Sequence, residues 1–115
     1  MNDPIQALDS IDVLGRRKGG GADLVIIVSS FLDDIPEHEQ LLRQKIQNYV
    51  DTIIADEFQE DFGNIANNPY SIILKCTVEP HPNMASLIQA LAQYLSEYHI
   101  NLTIEIEPVN STDAT

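Results

Sequence analysis

Four residues with the side-chain chemistry of a binding site lie close together in the first third of the chain: Asp33, Asp34, Glu37 and His38. Carboxylates and imidazoles bind divalent cations, so this group predicts a small ligand- or metal-binding site. The alternative is structural, because the helix dipole stabilises acidic residues in a first helical turn. No two of the three histidines show the i, i+4 spacing of a helical metal pair, and we expect no bound metal ion and no cofactor.

A second stretch, residues 14–21, reads L-G-R-R-K-G-G-G and holds three of the six Lys and Arg residues. A phosphate-binding loop places its glycines before a helix, whereas these glycines precede L-V-I-I-V, a run typical of a strand. We therefore interpret the stretch as a flexible hairpin turn whose glycines supply positive φ angles. The basic triplet is short and lacks aromatic neighbours, so we expect no nucleic-acid binding.

The third group is acidic and consists of Asp56, Glu57, Glu60 and Asp61. These residues are expected at the C-terminal end of a helix over residues 35–58, where the dipole is negative and carboxylates add no stability. The chain carries a net charge of −12, and such a field attracts a basic partner and speeds its encounter. The group therefore predicts a contact surface for a basic protein. The alternative is a solvated helix end.

No residue has the sequence surroundings of a catalytic nucleophile. Cys76, the one cysteine of the chain, falls on the core face of a predicted strand, where burial makes a thiol a poor nucleophile. No serine lies in a G-x-S-x-G elbow. Glu105 and Glu107 share an open sheet face rather than a pocket. The sequence thus favours a protein without catalysis.

Hydrophobic periodicity predicts the elements that position these groups. Alternating apolar residues indicate strands at 10–14, 23–29, 70–79 and 100–107. Apolar steps of three and four indicate helices at 35–58 and 84–98, with Asp34 and Asn83 as N-caps. The order ββαβαβ predicts an α+β fold, a two-layer sandwich with a mixed four-stranded sheet and two helices on one face. It leaves the strand order open.

We expect a single domain over residues 10–108, a flexible N-terminus at 1–9 and a disordered tail at 109–115. Three apolar residues, Val25, Ile27 and Ile73, fall on the sheet face away from the helices. They predict a homodimer contact, and the alternative is that they are single exposed apolar residues.

The start of the chain lacks the basic and apolar regions of a signal peptide. The longest apolar run, residues 24–28, is too short to span a bilayer. One cysteine excludes an intrachain disulfide. We expect a cytoplasmic protein that does not bind membranes.

Motifs in the first half resemble a family of small bacterial proteins of unknown function. That family has an I-D-V-I-G strand and a helix patterned E-H-L…L-Q-x-K-I-N-x-Y. This chain has I-D-V-L-G at 11–15, E-H at 37–38, Q-K-I at 44–46 and Tyr49. The resemblance covers the later half only in layout, and it implies a bacterial cytosolic domain with no assigned activity. It places His38 and Lys45 on recurrent positions, which adds Lys45 to the candidate ligand site.

These observations support three hypotheses, in order of preference. The first is a non-catalytic protein-interaction module, an antidote or adaptor for a basic partner. The second is a homodimeric scaffold that uses the outward apolar residues of the sheet. The third is a small ligand- or metal-binding domain at the start of the first helix.

Overall fold

The computed structural model describes residues 3–107, and within them a four-stranded sheet packs against three helices. The strands are β1 (Val13–Arg16), β2 (Ala22–Val28), β3 (Tyr70–Cys76) and β4 (Ile100–Ile106), and the helices are α1 (Pro36–Ile54), α2 (Asp56–Phe62) and α3 (Pro82–Ser96). The strand order is β1-β2-β3-β4. The β1–β2 hairpin is antiparallel, and the other two strand pairs are parallel. The predicted α+β sandwich with a mixed sheet is confirmed; the predicted tail at 109–115 lies outside the described residues.

One face of the sheet is buried by the helices. Along β2, Leu24 and Ile26 are fully buried, whereas Ile27 keeps 41% of its surface exposed. The register places Leu24, Ile72 and Leu102 in one row across three strands. The helices cover this face with buried side chains, namely Leu42, Ile46, Val50, Ile53, Met84, Ile88 and Leu95. Burial of each such side chain contributes about 1.5–3 kcal/mol, so this layer is the main source of stability.

The prediction of a single helix over residues 35–58 is wrong, because Ala55 interrupts the helical conformation. This residue has an extended backbone (φ −67°, ψ 141°), so α1 ends at Ile54 and α2 begins at Asp56. Asp56 and Glu57 therefore occupy a first helical turn, where the dipole stabilises carboxylates. They do not lie at a negative helix end, as the sequence pattern indicated.

The two predicted N-caps are also wrong. Ile35 is the N-cap residue of α1 and makes no side-chain capping bond. His81 is the N-cap of α3, and its Nδ1 accepts a hydrogen bond from the Asn83 N–H at 3.0 Å. The Asn83 side chain instead donates to Asp34 Oδ2 at 2.7 Å. This bond joins the loop before α1 to the start of α3.

The glycine turn between β1 and β2, predicted as a flexible tip, is packed at Gly21 and open at Gly19. Gly19 and Gly21 have φ angles of 87° and 92°, which confirms the predicted positive φ. Gly21 donates its N–H to the Phe62 carbonyl at 2.6 Å. A Cβ on Gly21 would clash with the carbonyl oxygen of Pro69, whereas a Cβ on Gly19 would meet open space.

Substituting these two glycines separates backbone strain from close packing. Both alanine variants force a side chain into the left-handed region, which costs about 1–2 kcal/mol. We expect Gly21→Ala to lose at least about 2 kcal/mol more than Gly19→Ala in urea unfolding, because only Gly21 lies against another backbone. Equal losses in the two variants would contradict the packed turn.

The N-terminal segment, for which the sequence predicts flexibility over residues 1–9, packs onto α1 at residues 3–9. Ile5 is 1% exposed and belongs to the hydrophobic core. The Pro4 carbonyl accepts the Ser29 N–H at 2.9 Å. The Asn48 amide of α1 donates to the Leu8 carbonyl at 2.6 Å. The segment is thus held by both the sheet and the helix.

A buried lysine is the centre of this contact. Lys45 is fully buried, and its Nζ contacts four oxygen atoms at 2.7–3.0 Å. These are the carbonyl oxygens of Gln6, Ala7 and Ser10 and the Oδ1 of Asp12. The ammonium group therefore replaces its water shell with protein oxygens, as a buried charge requires.

Asp12 and Tyr49 connect this lysine to the sheet. Asp12 accepts the Ile27 N–H through Oδ2 at 2.9 Å and donates its own N–H to the Tyr49 hydroxyl at 2.9 Å. The Tyr49 hydroxyl donates to the Val25 carbonyl at 2.6 Å. We call Lys45, Asp12 and Tyr49 the anchor, because together they join the N-terminal segment, α1 and β2.

Lys45→Met tests the anchor against an exposed lysine of the same chain. The substitution leaves the Asp12 carboxylate and three carbonyls without their cation, so we expect a loss of about 3–5 kcal/mol in chemical unfolding. Lys18 is exposed in the hairpin turn, and we expect Lys18→Met to change stability by less than about 0.5 kcal/mol. A similarly small effect of Lys45→Met would rule out a stabilising role for the ammonium group.

Alkaline pH provides a second test. Burial raises the pKa of Tyr49 to about 12, from an ordinary value of 10.0. A raised native pKa means that the stabilisation is complete below pH 10 and is lost as pH rises through about 12. We expect the stability difference between the wild type and Tyr49→Phe to shrink by roughly 2–3 kcal/mol over this range. A constant difference would contradict a buried, neutral Tyr49 hydroxyl.

Candidate functional site

Helix α2 displays four carboxylates on its outward surface. Asp56, Glu57, Glu60 and Asp61 are all exposed, and we call them the acidic face. Their i, i+4 spacing, 56 with 60 and 57 with 61, places them along one side of the helix. The two aromatic residues of the helix, Phe58 and Phe62, are half-buried.

Aromatic packing fixes α2 on the body of the protein. The Phe58 and Phe62 rings stack with centroids 4.3 Å apart, and Phe58 lies 6.0 Å from the Tyr70 ring. The Arg16 guanidinium lies 4.3 Å above the Phe62 ring and donates to the Asp61 carbonyl at 2.8 Å. The acidic face is therefore carried by a docked helix and not by a loose loop.

Within residues 3–107 the side chains of the acidic face form no ion pair, and Arg16 binds the main-chain carbonyl of Asp61 and not a carboxylate. Other cations are already paired: Arg17 with Asp23, Arg43 with Glu39, Lys45 with Asp12 and Lys75 with Glu107. Like charges this close repel one another. A cationic surface that docks here would relieve this repulsion.

The predicted ligand site at the start of α1 is used for local structure. Asp33 donates its N–H to His38 Nδ1 at 2.9 Å, and its Oδ1 accepts the Asp34 N–H at 2.7 Å. Asp34 also binds the Asn83 amide. Glu37 is exposed. Among the described residues no group of three or more His, Cys, Asp or Glu side chains is arranged to hold a metal ion.

Lys45 does not join this group. It lies two turns further along α1, and its ammonium is buried in the anchor. Sequence reasoning missed this role, although a signal was present: Lys45 is three residues after Leu42 and four before Tyr49, on the apolar stripe of α1. A lysine inside such a stripe indicates a buried, paired cation.

Two grooves lie along α3. One, of about 660 Å³, lies beside the N-terminus of this helix and is lined by residues that include Phe31, Glu79, His81 and Ile106. The other, of about 950 Å³, runs between α1 and α3. Cys76 lies away from both linings, and its predicted place in the core is confirmed. Burial raises the pKa of its thiol, which makes it unreactive.

The open sheet face brings the predicted dimer residues together. Val25 and Ile73 are neighbours across β2 and β3, and Ile27 lies two positions further along β2. The ion pair of Arg17 with Asp23, at 2.6 Å, borders this apolar group. Its role as a dimer contact remains a prediction.

Comparison with known proteins identifies a family but no activity. Across residues 3–107 no helix has the length and apolar character needed to cross a membrane. No curated protein and no solved structure shows significant similarity to the chain. One family model matches residues 4–108, nearly the whole length. The chain therefore belongs to DUF6572, a family of unknown function.

Proposed function

We infer that the protein is a non-catalytic interaction module whose acidic face binds a basic surface of another protein. The observation that carries this proposal is the display of four exposed, unpaired carboxylates on the docked helix α2. Such a module acts as an antidote that covers a basic toxin or as an adaptor. Its compartment in this proposal is the bacterial cytoplasm.

The rigid attachment of α2 supports this function. A charged surface that is already ordered loses less conformational entropy on binding than a flexible acidic tail does. The overall charge of −12 adds long-range attraction, which raises the association rate for a cationic partner. The residues at the start of α1 are less suited to this role, because Asp34 and His38 already bond within the protein.

Neutralising the acidic face is the direct test. The first variant combines Asp56→Asn, Glu57→Gln, Glu60→Gln and Asp61→Asn. A matched control removes the same number of charges from exposed positions elsewhere through Glu37→Gln, Asp51→Asn, Glu79→Gln and Glu97→Gln. Both variants have the same net charge, so they differ only in where the carboxylates are missing.

Each full-length variant is used to capture proteins from a cell lysate at low and at high salt. We expect the wild type and the matched control to retain the same basic protein at low salt and to release it at high salt. The acidic-face variant should bind that protein about 30- to 900-fold more weakly, because it loses four contacts worth about 0.5–1 kcal/mol each. Equal loss in both variants, or retention that does not depend on salt, would overturn the proposal.

A further inference from the structure

The two edges of the sheet differ in how well they are protected. β1 has only four residues, and a short edge strand offers little backbone for pairing. β4 has seven residues, contains neither proline nor lysine, and forms the last position of the sheet. Among residues 3–107 no strand pairs with its outer side. Its free N–H and C=O groups are therefore available to another strand.

The helix beside this edge is the second unusual feature. The chain is 21% charged, yet the fifteen residues of α3, P-N-M-A-S-L-I-Q-A-L-A-Q-Y-L-S, contain no charged side chain. Leu87 and Leu91 line the groove toward α1, whereas Ala85 lines the groove beside Ile104 and Ile106 of β4. Helical spacing places Gln89 on the same side as Ala85. The surface next to the open edge thus carries short, uncharged side chains.

We propose that two copies of this chain pair antiparallel through β4, forming one continuous eight-stranded sheet around a two-fold axis at Thr103. An axis perpendicular to the sheet makes the two edge strands antiparallel and leaves both sets of helices on the same face. Centring the pairing on Thr103 uses all seven residues of β4. Any other centre leaves strand residues unpaired.

The residues of β4 are complementary to themselves in this register. On the helix side, Ile106 lies opposite Ile100 of the second copy, and Ile104 lies opposite its Leu102. Ile106 is 41% exposed in the isolated chain, so pairing would cover apolar surface. Thr103 lies opposite the same residue of the second copy, which is a favourable cross-strand pair.

The charges along the strand also match. Glu105, the one acidic side chain within β4, lies toward the carboxyl end, whereas Asn101 lies toward the amino end. In the antiparallel register Glu105 faces Asn101. The carboxylate thus meets an amide that donates a hydrogen bond, and the two Glu105 side chains do not face one another, which favours edge pairing.

The contact is modest in size. β4 and α3 are each about 23 Å long, and a strip of this length that is one strand and one helix wide, roughly 15 Å, covers roughly 350 Å² on each copy. This is below the roughly 800 Å² per partner of a standard interface. We therefore expect a weak dimer with a dissociation constant in the micromolar range.

Raising the salt concentration should strengthen this dimer, because salt screens the repulsion between two acidic copies. The same change weakens the binding of a basic partner to the acidic face.

Sedimentation velocity of the full chain, from about 10 µM to about 1 mM, measures the dissociation constant. Asn101→Lys places a cation opposite Glu105 twice per dimer, and we expect about tenfold tighter pairing. Asn101→Glu places a carboxylate there, and we expect about tenfold weaker pairing. Asn67→Glu, at an exposed loop position outside β4, should leave the dissociation constant unchanged.

A disulfide test locates the axis. Thr103→Cys places two thiols directly opposite one another, with Cβ atoms about 4.5–5.5 Å apart. Asn101→Cys places its two thiols about 13 Å apart, because four residues of strand separate them. Cys76 is buried and does not compete. We expect a disulfide-linked dimer from Thr103→Cys alone.

Several results would overturn the proposal. One is a chain that stays monomeric over the whole concentration range. Another is a disulfide yield from Asn101→Cys that equals the yield from Thr103→Cys. A third is a dimer that Ile27→Glu abolishes while the Asn101 variants leave it unchanged, because this would locate the contact on the open sheet face.

Discussion

The structure depends on one buried charge. The Lys45 ammonium has no access to water, and four protein oxygens replace its hydration shell. Three of these oxygens are backbone carbonyls of the N-terminal segment. These bonds fix the conformation of the N-terminal segment, which has few apolar residues, and Ile5 lies in the core. The geometry is demanding, because a buried cation without all of its partners destabilises a protein strongly.

The anchor also supplies a hydrogen bond to β2 beyond the end of its pairing with β1. The β1–β2 ladder reaches only to the pair of Val13 with Val25, so the Ile27 N–H lies beyond the end of β1. The Asp12 carboxylate accepts this N–H and binds Lys45 with its other oxygen. A side chain thus continues the edge of the sheet, and the hairpin is held at the end opposite to its glycine turn. Gly21 and Arg16 hold the other end against α2.

The orientation of the acidic face depends on the position of the hairpin. Because the hairpin is fixed at both ends, the Arg16 guanidinium lies over Phe62, and α2 has a defined orientation. The four carboxylates of the acidic face do not stabilise one another. Asp56 and Glu57, however, lie in the first turn of α2, where the helix dipole stabilises a negative charge. A surface for a basic partner can therefore be built at little cost to folding.

Hydrophobic patterns in the sequence predicted the features that depend on residues close together along the chain. The alternation through Cys76 identified the buried face of β3, and the run from Leu24 to Val28 identified a central strand. The break at Ala55 was missed because the apolar stripe of α1 continues into Phe58, although two acidic residues mark a new helix start. The identity of contact partners far apart in sequence left no periodic signal. The contact of Gly21 with Phe62 is of this kind, and so is the N-terminal segment as the partner of Lys45, although the apolar stripe of α1 indicated that this lysine is buried.

Native-state hydrogen exchange at the Ile27 amide tests the central role of the anchor most directly. This N–H is held by the Asp12 carboxylate and by no β1 residue. If Lys45 and Asp12 form the anchor described above, the amide should open only with a free energy close to that of global unfolding. Fast exchange at Ile27, at the rate of an exposed loop amide in a protein whose Leu24 and Ile26 amides stay protected, would contradict the account.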